Sequence, residues 1–80
     1  MADQTNERRK QPRYLNARLV RIREVEKICS LSRASIYNAI KHGTFPAPIK
    51  TGPRASAWIM QEVEGWVEQR IAMSRRLQAE

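Results

Sequence analysis

The chain carries two short segments of helical apolar spacing separated by only about three residues, and no other feature restricts its fold as strongly. In REVEKICS, Val25, Ile28 and Cys29 recur at the 3.6-residue spacing of one helix face, which predicts a first helix from about Arg23 to Cys29. In SRASIYNAIKHG, Ser32 is a good N-cap whose hydroxyl can accept from the backbone N–H of Ala34 or Ser35. A second helix therefore starts near Arg33, with Ile36, Ala39 and Ile40 as its apolar stripe and Gly43 as a left-handed stop after His42. Helices this short, joined this tightly, cross steeply instead of lying antiparallel. The unit is a helix-turn-helix, pinned by Val25, Cys29, Leu31, Ile36 and Ala39. Two positions depart from the usual pattern. Ser30 stands where the turn often carries Gly, and Glu26 where a small residue often lets the helices approach. A positive φ at Ser30 costs on the order of 1 kcal/mol.

With Ile36, Ala39 and Ile40 facing inward, Arg33, Ala34, Tyr37, Asn38 and Lys41 project outward. The helix N-terminus presents Ser32 and free N–H groups suited to phosphate. In a major groove Arg pairs bidentately with guanine, Asn with adenine, and Ala34 can lie against a thymine methyl. Tyr37 can stack on sugar or bond a phosphate. Ser35 lies nearer the helix flank, which suits a phosphate contact. The competing reading is an ordinary solvated face.

Charge and length bear on that choice. Eighty residues make one domain, too small to enclose a large catalytic cleft beside a core, while 41% hydrophobic residues suffice to fold. The net charge of +7 is uneven: +5 over residues 1–23, +3 over 24–59 and −1 over 60–80. That gradient suits a phosphate backbone, whose neutralisation releases counterions. An enzyme fails on inventory, since His42 and Cys29 are the only residues of their kinds and no Gly-rich phosphate loop occurs. No cofactor or metal is expected. Cys29 excludes an internal disulfide and suits plain packing, and His42 suits a helix end, where it complements the carbonyl dipoles. No apolar run approaches the ~20 residues of a spanning helix, and MADQTNERRK lacks an apolar signal region. A cytoplasmic protein without membrane partners is expected. The remaining alternative is a basic interaction module that meets RNA, a protein or an anionic surface without reading duplex sequence.

The rest of the chain frames this unit. Residues 1–17 are polar, basic and without helical period, and are expected to form a mobile arm, although Tyr14 and Leu15 could pack on the body. LVRI suits a short strand. In TFPAPIKTGPRASAWI, Pro46 and Pro48 rule out helix, and PIK and SAWI flank TGPRA as two strands around a Gly-Pro turn. This is a β-hairpin wing with Lys50 and Arg54 at or beside its tip, placed for phosphate or minor groove. Ile59, Val63, Trp66, Val67 and Ile71 then recur at helical spacing, predicting a third helix that covers the core. Trp58 and Trp66 read as core fillers, and Gly65 as a site of close contact with another helix. The acidic side chains of this helix would repel DNA, so it should face away. Residues 18–72 are thus expected to be a mainly α winged helix-turn-helix domain with a small β-hairpin, and 73–80 a short C-terminal tail.

Across residues 18–71 the chain resembles the AlpA-like phage and prophage regulators, related to excisionases and to the MerR-type winged helix. LSRASIY, GTFPAPIK and GPRASAW followed by EVEGWV carry the resemblance. It implies a small cytoplasmic protein that binds double-stranded DNA, as a transcriptional regulator of integrase or mobile-element genes or as an excisionase that bends DNA so that integrase favours excision. Ser32, Arg33, Ser35, Tyr37 and Asn38 match the family's recognition-helix segment, and Arg54 its wing. The long MerR-type dimerisation helix is read as absent. One recognition helix reads only about four or five base pairs, too few to select one locus. Weak self-association on DNA at adjacent sites is therefore expected, with neighbour contacts from the wing, the arm or the Met73 to Leu77 end.

Overall fold

The computed structural model describes residues 16–79, which form three helices and a small three-stranded antiparallel sheet. Strand β1 is Leu19–Val20, helix α1 Ile22–Cys29, helix α2 Arg33–Lys41, strand β2 Ile49–Gly52, strand β3 Ala55–Ile59 and helix α3 Met60–Ala79. The architecture is a winged helix-turn-helix, as the residue pattern predicts. Residues 1–15 of the expected arm, with Tyr14 and Leu15, fall outside the described residues, and at its end the Asn16 carbonyl accepts from the Gln61 side-chain N–H at 3.5 Å.

The two turns that close α1 and α2 share one hydrogen bond, built on different residues. After α1, Ser30 takes the left-handed conformation (φ 57°, ψ 40°), and the Leu31 N–H donates back to the Glu26 carbonyl at 3.3 Å. After α2, Gly43 is left-handed (φ 75°), and the Thr44 N–H donates to the Ala39 carbonyl at 2.9 Å. The second bond differs: the Ser30 N–H donates to the same Glu26 carbonyl, whereas the Gly43 N–H donates to the Ile40 carbonyl at 3.0 Å, so only the turn after α2 is a full Schellman closure. Ser30 is the only described non-glycine residue with positive φ, so the expected strain is present.

The turn lets α1 and α2 meet over one core. Val25 and Ile36 are fully buried against Val20, Phe45, Trp58 and Val63, with Ile28, Cys29, Leu31, Ala39 and Ile40 packed around them. Burial pushes the Cys29 thiol above its ordinary pKa, in keeping with a packing role.

The wing is the outer part of a sheet ordered β1-β3-β2. Leu19 pairs with Ile59 and Val20 with Trp58, so β1, read from sequence as a short strand, closes the inner edge. On the other edge Ile49 opposes Ala57 and Lys50 opposes Ser56, then a register shift between Lys50 and Gly52 sets Gly52 opposite Ala55. The extra residue is Thr51, a bulge of the kind that twists a hairpin end. Ala57 and Trp58 are both buried, as a central strand covered on two sides requires.

Loop 43–48 is held by both indoles. The Trp58 Nε1–H donates to the Pro46 carbonyl at 3.0 Å, and the Trp66 Nε1–H to the Thr44 carbonyl at 2.8 Å. Phe45 lies edge-on to Trp66, with ring centres 4.9 Å apart. Trp58 and Trp66 are therefore packing residues, each with its polar end satisfied.

Helix α3 departs from the sequence reading in four ways. It is 20 residues long and runs through Ala79, so the stretch read as a tail is helical to that residue. Ile59 ends β3 and is not part of the helix. Ile71 is 45% exposed, because α3 outruns the body and every described side chain from Glu68 onward is exposed. Gly65 brings no helix close: a methyl group placed there meets nothing within 4 Å.

Candidate nucleic-acid interface

The face in question is set by how α2 is held. The Ser32 hydroxyl accepts from the Ser35 N–H at 3.1 Å and donates to the Ser35 hydroxyl at 3.0 Å. One of the four open N–H groups of the helix start is thereby satisfied, and the others remain near the Ser32–Arg33 corner. At the far end the His42 ring Nδ1 lies 2.8 Å from the Asn38 carbonyl, so His42 does cap the helix end. With Ile36 fully buried and Ala39 and Ile40 half-buried, the roll of α2 about its own axis is fixed.

That roll leaves Ser32, Arg33, Ala34, Ser35, Tyr37, Asn38 and Lys41 exposed. Ala34, Tyr37, Asn38 and Lys41, with Ile40, line one shallow depression of about 460 Å³. Small Ala34 leaves it open, and the longer side chains rim it. Arg33 sits beside this depression, its guanidinium carbon 5.7 Å from the centre of the Tyr37 ring. A stacked guanidinium is partly preordered while its outer N–H groups stay free to donate. Ser35 stands apart on the flank, its hydroxyl engaged with Ser32.

Tyr37 has a second contact that sequence does not announce. Its ring lies edge-on to Trp58, with centres 6.0 Å apart and planes at 66°, and it keeps 40% of its surface exposed. It therefore couples the outer face of α2 to β3, the strand shared by the wing. Lys50 and Arg54 are not part of the depression: Lys50 lies on β2 beside the Thr51 bulge, and Arg54 in the turn between β2 and β3, both exposed. The basic residues singled out from sequence thus form two groups, one on α2 and one on the wing.

A further pair went unremarked in the sequence. Arg23 and Lys27 are both exposed on α1, and their i, i+4 spacing places them on one face. The charge was visible; its spacing was the signal.

No helix among the described residues is long and apolar enough to cross a membrane. Comparison with known proteins agrees with the geometry. The family model described as prophage CP4-57 regulatory protein (AlpA) matches residues 18–71, which run from β1 into α3 and include both basic groups. Uncharacterized protein ORF88 of Enterobacteria phage P4 is 38% identical over 65 residues, covering 81% of this chain and 74% of that protein. No solved structure matches. A capped and pinned α2, a bulged wing and a match across both place this chain in the AlpA family of prophage regulatory proteins.

Proposed function

We propose that the chain binds double-stranded DNA sequence-specifically in the cytoplasm, with α2 in the major groove, to regulate transcription or direct excision of a phage or mobile element. One observation carries the reading. The buried stripe of α2 fixes its roll, so Arg33, Ala34, Asn38 and Lys41 are presented outward on a helix that cannot turn them away.

Each group has a role in that pose. Arg33 pairs with guanine, Asn38 with adenine, and Ala34 leaves room for a thymine methyl. Tyr37, braced by Trp58, meets sugar or phosphate at the edge of the groove. Ser32, Ser35 and the open N–H groups at the start of α2 hold a phosphate, and Lys41 a second one further along. Arg23 and Lys27 lie on the first helix, the one that crosses the backbone in this motif. Arg54 and Lys50 extend the contact through the wing.

Base contacts from one helix discriminate by only about 1–3 kcal/mol per mismatch, so single-site binding selects weakly. Copies therefore bind adjacent sites cooperatively and bend the DNA between them, which is how such a protein would favour excision by integrase. Footprinting across a protein titration, together with circular-permutation gel shifts, tests the reading. The expected result is a set of adjacent protected sites, a Hill coefficient above one and a bend. Equal affinity for random duplex, RNA and anionic vesicles would replace this reading with that of a non-specific basic module.

A further inference from the structure

Gly65 sits inside a 20-residue helix, where glycine is unfavourable, and relieves no close contact within the chain. It forms part of the wall of an open groove of about 770 Å³, with Trp66 on the same helix and the 43–47 loop opposite. Beyond the groove α3 continues into solvent with Met73 half exposed and Leu77 at 74%. At about 100° per residue, Glu62, Gly65, Trp66, Gln69, Met73 and Arg76 share one face of α3.

That face is complementary to itself when reversed. If two copies lie antiparallel with Gln69 at the crossing point, Met73 of each falls opposite Gly65 of the other, and Arg76 of each opposite Glu62 of the other. We infer that two copies of this chain pair through α3 in this antiparallel register, the Met73 side chain of each seated in the Gly65–Trp66 groove of its partner.

Shape and charge select this arrangement over others. The missing side chain at position 65 is the hole, and Met73, flexible and exposed, is the knob. Pairing only the projecting ends would set Arg75 and Arg76 against their own copies, and like charges at close range repel. Full overlap sets the basic end of one helix beside the acidic end of the other. Glu62 already has a contact within its own chain, and a carboxylate accepts from more than one donor. A two-fold interface of this kind is closed, so it yields a dimer and not a filament. It does not depend on the DNA-binding reading, and its test contains no DNA.

Sedimentation velocity of the full chain over a range of concentrations should show a reversible monomer–dimer equilibrium. Gly65→Leu fills the hole, and because the single chain has space there, its melting temperature at monomeric concentration should not fall. The dimer dissociation constant should nonetheless rise about tenfold or more. Arg76→Glu should weaken the dimer, and the double variant Glu62→Arg/Arg76→Glu should restore it. In a Cys29→Ala background, Gln69→Cys should cross-link on oxidation, while Ser74→Cys, on another face, should not. A monomer at every concentration overturns the inference, as does a dimer insensitive to both Gly65→Leu and Arg76→Glu. Association that is lost on deleting residues 1–15 yet unchanged by Gly65→Leu would give the groove to the arm and also overturn it.

Discussion

Helix α2 and the projecting half of α3 both expose much of their surface, but they are held in opposite ways. Along α2 one side is fastened throughout, from the Ser32 cap through fully buried Ile36 to the His42 ring at the far end. Past Glu68, α3 has no buried side: the Arg70 guanidinium stacks back on Trp66, 4.9 Å from the ring centre, and the apolar Ile71, Met73 and Leu77 lie exposed beside Arg75 and Arg76. The difference separates presentation from availability. A helix fixed on one side offers a defined set of groups in a defined order, which is what base reading demands. A helix free on all sides offers length and an apolar face, which suits association with something equally extended.

The largest effect that tests this contrast is on stability. Ile36→Ala should lower the unfolding free energy by about 2–5 kcal/mol, through lost burial and the cavity left behind. Leu77→Ala, at monomeric concentration, should stay within about 0.5 kcal/mol. Urea titration of the two variants checks both, and equal losses would erase the distinction between the helices.

Next comes binding. Arg33→Ala should cost about 1–3 kcal/mol on a specific site and flatten base preference at one position. Leu77→Ala should leave single-site affinity unchanged. Equal losses for Arg33→Ala on specific and random duplex would remove the base-reading role and leave only attraction to phosphate.

A smaller effect concerns the turn that positions α2. Ser30 and Gly43 close successive helices in the left-handed conformation, each followed by an N–H that donates back five residues, but only Ser30 carries a Cβ into that region. Ser30→Gly should raise stability by up to about 1 kcal/mol, the strain relieved being partly offset by the greater freedom of the unfolded chain. Thermal melts decide this, and a loss of stability would mean that the Ser30 side chain makes a contribution outweighing its strain. The smallest change is in the wing. Arg54→Ala should weaken all duplexes alike and reduce the salt slope by about one unit. A slope identical to that of the parent would take the wing turn off the DNA.

The helix-turn-helix was legible because its signals are local. Ser32 as cap, Gly43 as stop, and Ile36, Ala39 and Ile40 as stripe each act within a few residues, and α2 begins and ends where they place it. The same locality explains what was missed. The pairing of β1 with β3 joins residues 19–20 to 58–59, and nothing in LVRI names its partner. The length of α3 was underestimated because the reading followed apolar periodicity, and that stops carrying the helix at Ile71. MSRRLQA continues it through helix-favouring Arg, Leu, Gln and Ala, with no Pro or Gly to break it. At Gly65 the sequence indicates only a missing side chain, and which neighbour uses the space is a tertiary matter. The exposure of Arg33, Ala34, Tyr37, Asn38 and Lys41 followed from the stripe, whereas the brace between Tyr37 and Trp58 spans 21 residues and did not.

That brace gives the protein an optical property. Trp58 is almost wholly buried and its emission is shielded from water, while the phenol beside it stands at the surface. Light absorbed by Tyr37 is handed to the indole only while the two rings stay close. A ligand that draws the phenol outward or alters its tilt changes that transfer. In a Tyr14→Phe/Trp66→Phe variant, Tyr37 is the single phenol and Trp58 the single indole, and the ratio of the indole's emission under tyrosine and tryptophan excitation becomes a dye-free gauge of what happens at the outer face of α2.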